Sequence, residues 1–163
     1  MFQVSNPKVE TLGKAWAALV VRVAGVRRNF QTIPKPGDPR FTAYLGELNF
    51  AVKETDRISS ELNSIIVAGR ERNVMAEFLT VELGETLDLT SAQKTAVFAF
   101  IRNGLAQGAT PGEGMKAMTR ATRVEAGQIK AMLTENQRGR FDQTYGADGT
   151  CLFTYLAVAA PAK

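Results

Sequence analysis

Leu89-Thr90-Ser91-Ala92-Gln93 and Leu133-Thr134-Glu135-Asn136-Gln137 are two copies of one pattern, Leu-Thr-x-x-Gln. Each reads as the start of a helix. The Thr hydroxyl accepts a hydrogen bond from the backbone N–H three residues on, and the Gln side chain reaches back to the Thr N–H. Two donors that a helix would otherwise leave orphaned are then satisfied together. Thr90→Ala or Thr134→Ala is expected to lower stability by about 1 kcal/mol. Thermal melts of both variants that match the parent would rule out the capping role.

Further helix signals punctuate the rest of the chain. Asn6-Pro7 pairs an N-cap residue with Pro at the first helical position, and Leu12, Ala15, Trp16, Leu19, Val20 and Val23 follow on one stripe. Arg22, Arg27 and Arg28 lie towards its end, where cations suit the helix dipole. Residues 31–40 hold three prolines and a glycine and predict a loop, and Asp38-Pro39 repeats the cap-plus-Pro start. Phe41, Tyr44, Leu45, Leu48, Val52, Thr55, Ile58, Leu62, Ile65 and Ile66 keep a near-heptad rhythm, the seam of a long helix packed on others. Gly69 and Arg70-Glu71-Arg72-Asn73 weaken it, and a break, a kink or a continuous rod all fit before Val74, Met75, Phe78, Leu79 and Leu83 resume.

Beyond Thr90 the face is Val97, Phe98, Ile101 and Leu105, with Gly104 and Gly108 near its end. Thr110-Pro111-Gly112-Glu113 is a third capping box, followed by Met115, Met118, Thr122, Ala126, Ile129 and Leu133 at three-and-four spacing. The second Leu-Thr-x-x-Gln opens a last helix carrying Phe141 and Tyr145, and Gly146 to Gly149 end it. The expected fold is all-α: an antiparallel helical hairpin or bundle with one or two long helices and a short apolar C-terminal tail. One domain is expected over 1–163, with N-terminal helices at about 7–86, the box-bounded hairpin at about 89–145 and the tail at 146–163.

The formal net charge is +4, and it is localised. Residues 1–88 carry 11 basic and 11 acidic side chains, whereas 89–145 carries eight basic and four acidic ones. A basic surface favours acidic partners without choosing among proteins, nucleic acid and anionic lipid. No histidine is present, and Cys151 is the single cysteine. Imidazole bases, Ser-His pairs, thiolate metal sites and an intrachain disulfide are therefore excluded. The remaining carboxylate pairs, Glu54/Asp56 and Glu82/Glu85, read as solvated charges on polar helix faces. No enzyme activity, cofactor or metal is expected. No segment suits a membrane span or a signal peptide.

The residues Leu89, Thr90, Gln93, Leu133, Thr134 and Gln137 resemble the signature of the LTxxQ family of small helical bacterial envelope proteins, the Spy/CpxP group. Leu87–Lys94 looks like a first family motif opening a helix. Leu133–Gln143 is similar to a second, with a basic residue after Gln and Phe141 four places on. The resemblance covers residues 89–145, about a third of the chain.

The resemblance implies a periplasmic location for a chain whose leader is not present, with the cytoplasm as the alternative. It implies helical hairpins paired into a cradle-shaped homodimer and an ATP-independent, chaperone-like or stress-response role in protein binding. On that pattern Arg102, Lys116, Arg120, Arg123 and Lys130 would be client-facing charges, and Met115, Met118 and Phe100 would be adaptable apolar contacts. The core is the competing place for the two methionines. The absence of histidine argues against an imidazole-based metal sensor, and the spacing of the motifs implies a shorter hairpin than the chaperones have. The residues before about Leu83 carry no family mark. The competing function is a structural or assembly subunit that pairs chains through the seam at Phe41–Ile66. Nucleic-acid binding ranks third, because no helix-turn-helix or stacking pattern accompanies the charge.

Overall fold

A computed structural model describes residues 1–66, 70–108 and 126–147. It is all-helical, and no strand occurs among the described residues. The elements are α1 (Pro7–Asn29), α2 (Phe41–Ile65), α3 (Glu71–Leu87), α4 (Ser91–Gly108), α5 (126–131) and α6 (Glu135–Tyr145). The third capping box, Thr110 to Glu113, and the tail from Asp148 onward lie outside the described residues.

Local chemistry places the first helix as expected. Asn6 caps α1 by accepting the Lys8 N–H at 2.9 Å, Pro7 is the first helical residue, and Arg27 and Arg28 occupy the last turn. The stripe read from the sequence is the buried one, with Leu12, Trp16, Leu19 and Val20 all at 5% exposure or less.

The centre of the fold is α3. Every residue from Val74 to Gly84 is buried, so α3 presents no solvent face over three turns. A helix covered on all sides belongs to the interior. It packs against α1, α4 and α6, and its Phe78 ring lies 6.2 Å from that of Trp16. The N-terminal residues lie across the same region. The Ser5 N–H and hydroxyl both donate to buried Glu77, the Phe2 N–H donates to Thr95, and the Phe2 ring stacks 5.4 Å from Phe98.

Gly13 sets how closely α1 approaches α3. A Cβ there would meet the Val81 side chain at 2.7 Å and the Phe78 carbonyl at 3.1 Å. Gly13→Ala is therefore expected to cost about 2 kcal/mol through overpacking. Gly84 is the control. Its Cβ would meet only the far end of Lys94, at 2.6 Å, and that flexible chain can swing aside. Gly84→Ala should change stability by less than about 0.5 kcal/mol. Equal losses in urea melts of the two variants would contradict this account.

Three expectations need correction. The seam of α2 is not buried along its length. Only Ile58 and Leu62 are buried, while Leu45, Leu48 and Val52 stand 37%, 47% and 53% exposed. The reason is tertiary: α2 packs chiefly on α1, and one neighbour covers one face. Its start also differs. Asp38 does accept the Arg40 N–H at 2.8 Å, but the regular helix begins at Phe41. Of the break, kink or rod left open between α2 and α3, the structure takes the break, with Ile66 in an extended conformation. Finally, Glu82 is not a solvated charge: it is 0% exposed, whereas Glu85 is exposed. Glu54 does lie at the surface, half-buried and paired with Arg57 at 3.0 Å.

Candidate functional site

The two Leu-Thr-x-x-Gln boxes form as the sequence predicts. In the first, Thr90 Oγ1 accepts the Gln93 N–H at 3.2 Å and Gln93 Oε1 accepts the Thr90 N–H at 3.0 Å. In the second, Thr134 Oγ1 accepts the Gln137 N–H at 3.3 Å and Gln137 Oε1 accepts the Thr134 N–H at 2.9 Å. The leucines in front, Leu89 and Leu133, are 5% and 4% exposed and anchor each box in the core.

The chain reaches the first box by a sharp reversal. Asp88 sits in the left-handed region at φ 55°, and the Leu89 N–H bonds back to the Gly84 carbonyl at 3.1 Å. Asp tolerates this conformation better than most residues, and the Gly84 carbonyl accepts both the Asp88 and the Leu89 N–H, closing the end of α3. At the second box, the Met132 and Leu133 N–H groups turn back onto the Ile129 and Lys130 carbonyls.

The boxes also meet. Gln93 Nε2 donates to Gln137 Oε1 at 2.8 Å, and Gln137 Nε2 donates to Gln93 Oε1 at 3.1 Å. The same amide nitrogens also donate across: Gln93 to the Met132 carbonyl and Gln137 to the Asp88 carbonyl, each at 3.1 Å. Asp88 and Met132 each lie two residues before the Thr of their own box. The arrangement is thus a local two-fold clasp. Each amide oxygen accepts from its own helix start and from the other glutamine, and each amide NH2 donates to the other glutamine and to the other box's entry strand of chain. Both side chains then use the full donor and acceptor capacity of an amide.

Chemically, the clasp is a structural device. It holds two hydroxyls and two amides, none of which exchanges a proton near neutral pH. It joins the start of α4 to the start of α6, elements 44 residues apart in sequence.

Among the basic side chains expected to face a partner, Arg102 is exposed on α4. Lys130 is engaged within the chain, bonded to Asp142 at 2.6 Å and to the Ala147 carbonyl at 2.8 Å. Lys130 also borders, with Arg138, a shallow groove of about 510 Å³ between α5 and α6. Arg138 donates to the Leu133 carbonyl at 3.1 Å. Phe100 is partly buried against the core. Met115, Lys116, Met118, Arg120 and Arg123 lie outside the described residues. Among the described residues no cluster of acidic or sulfur ligands could hold a metal, and no helix is long and apolar enough to cross a membrane.

Sequence reasoning missed a buried polar group. Glu82 on α3 accepts the Tyr145 hydroxyl of α6 at 2.9 Å, and both residues are 0% exposed. Burial pushes the Glu82 carboxyl up to about 8, opposed by the Tyr145 and Trp16 donors. Burial also carries the Tyr145 phenol well above its ordinary range. A signal was available in the sequence, since Glu82 lies three and four residues on from Leu79 and Phe78 on one side of the helix.

No family model, curated protein or solved structure matches this chain.

Proposed function

We propose that this chain is a non-enzymatic binding protein of the LTxxQ kind, resembling Spy/CpxP, that holds unfolded or stress-related protein clients on a basic helical surface. In this reading it works in the bacterial periplasm as a homo-oligomer. Residues 89–145 act as a helical hairpin closed at its base by the clasp. The observation that supports the reading is the clasp: two copies of the motif bound the most basic stretch of the chain and interlock through Gln93 and Gln137.

The charges proposed to meet clients are Arg102, Lys116, Arg120 and Arg123. Lys130 contributes less, because Asp142 already neutralises it. Weak, adaptable contacts of this type weaken with salt. Light scattering by an aggregating client is expected to fall at stoichiometric protein, and less so in moderate salt. Replacing the four charges by alanine should abolish the effect. No suppression at either salt concentration would refute the reading.

A second reading is an assembly subunit that pairs chains through α2. The exposed Leu45, Leu48 and Val52 favour it, because they form an apolar strip on one helix face. Size-exclusion chromatography with light scattering separates the two. A stable oligomer lost on Leu48→Glu, with no effect on client aggregation, would favour the assembly role.

A further inference from the structure

Where α1, α3 and α6 meet, a small polar cluster sits inside the core. Glu82 is 0% exposed, Tyr145 is 0% and Trp16 is 1%. One carboxyl oxygen of Glu82 accepts the Tyr145 hydroxyl at 2.9 Å. Its other oxygen, the Trp16 indole N–H and the Thr86 hydroxyl are buried without a hydrogen-bond partner of good geometry. A cluster satisfied on one side only tolerates a neutral acid far better than a carboxylate, which needs more donors or water.

Among the described residues no opposite charge acts on it. The groups acting on the carboxyl are Tyr145 from α6 and Trp16 from α1. Along α3, Glu77 is taken by Ser5 and Glu85 points to solvent. On α1, Lys14 pairs with Glu10 at 2.8 Å at the surface. On α6, Asp142 pairs with Lys130. Lys94 of α4 runs past Gly84 and is only partly buried.

We propose that Glu82 is a pH-operated latch: as a neutral acid it tolerates burial beside Tyr145 and lets the end of α6 stay packed on α1 and α3, and its ionisation, which demands water that the closed core withholds, releases that end. The geometry makes α6 the part that moves. It has only 11 residues, Tyr145 is its last, and Gly146 follows at φ 84°. Its other end stays tied by the Gln137 clasp, and the bonds that otherwise hold the Tyr145 end, Lys130 to Asp142 and the Ala147 carbonyl and Arg28 to the Gln143 carbonyl, lie at the surface where water can replace them, so the last turn can lift and admit water to the carboxylate.

Trp16 is the single tryptophan, so its emission reports on the cluster directly. The test is an emission titration from pH 5 to 9, paired with amide exchange corrected for intrinsic base catalysis. A reversible emission change centred near pH 8 is expected. Across it, exchange of the Phe141–Tyr145 amides should rise about tenfold between pH 7 and 9 while α1 stays protected. Glu82→Gln should remove both changes. Tyr145→Phe removes the donor that favours the carboxylate, so it should move the midpoint to higher pH. That second variant decides the matter if Glu82→Gln does not fold. A transition that persists in Glu82→Gln, a midpoint unmoved in Tyr145→Phe, loss of protection in α1 together with α6, or no transition at all would each overturn the proposal.

Discussion

Gln93→Ala and Gln137→Ala are each expected to lower stability by about 2–3 kcal/mol, more than either threonine variant. A threonine variant removes one hydroxyl at the surface, where water replaces it. A glutamine variant removes an amide with four partners. Taking away Gln137 frees the Thr134 and Gln93 donors, the Asp88 carbonyl and the Gln93 oxygen at once. Gln137 is only 9% exposed, so water reaches these groups poorly. The double variant is expected to lose clearly less than the sum of the singles, because the second glutamine has already lost its main partner. Gln137→Glu should be at least as damaging as Gln137→Ala. A carboxylate has no NH2 to give and would face the Asp88 carbonyl and the Gln93 oxygen. Strict additivity in a urea-melt double-mutant cycle would show that the side chains do not act as a clasp.

Stability should fall as pH rises from about 5 to about 8, and Glu82→Gln should flatten that slope. Folded, Glu82 keeps its proton up to about pH 8, against an ordinary value of 4.5. Between these values the folded state binds the extra proton, so its advantage is complete below 4.5 and is lost as pH climbs through 8. A displacement of this size corresponds to on the order of 5 kcal/mol, a large share of a domain's stability. The glutamine variant is neutral throughout. It should be no more stable than the parent at pH 5 and clearly more stable at pH 9. The surface carboxylates act in a separate window. Asp38, held at about 2 by the Arg40 guanidinium, has a depressed value, so its contribution is lost only in acid. Parallel stability curves for parent and variant between pH 5 and 9 would contradict the assignment.

The sequence was legible wherever the controlling interaction is local. Asn6 and Pro7, the two threonine-glutamine boxes and Gly146 mark helix ends through bonds spanning a few residues, and the structure shows them in those places. The stripes of α1 and of Val74 to Leu83 were legible too, because a 3.6-residue period reports a buried face without naming the neighbour. The rhythm of α2 misled for the same reason. Leu45, Leu48 and Val52 repeat like a packed seam, yet α1 covers only the adjoining face. Glu82 misled in the opposite direction: its spacing from Phe78 and Leu79 marks the buried side of α3, but nothing local names its partner, a tyrosine 63 residues away.

The class of the fold and the starts of α1, α4 and α6 were written into the local sequence, because capping, proline geometry and periodicity act within one or two turns. That the two boxes form one unit, that α3 is enclosed on every side and that Glu82 lies inside with Tyr145 emerged only from packing. Those outcomes depend on which faces meet, and on amide and hydroxyl groups finding partners tens of residues away, so no local stretch encodes them.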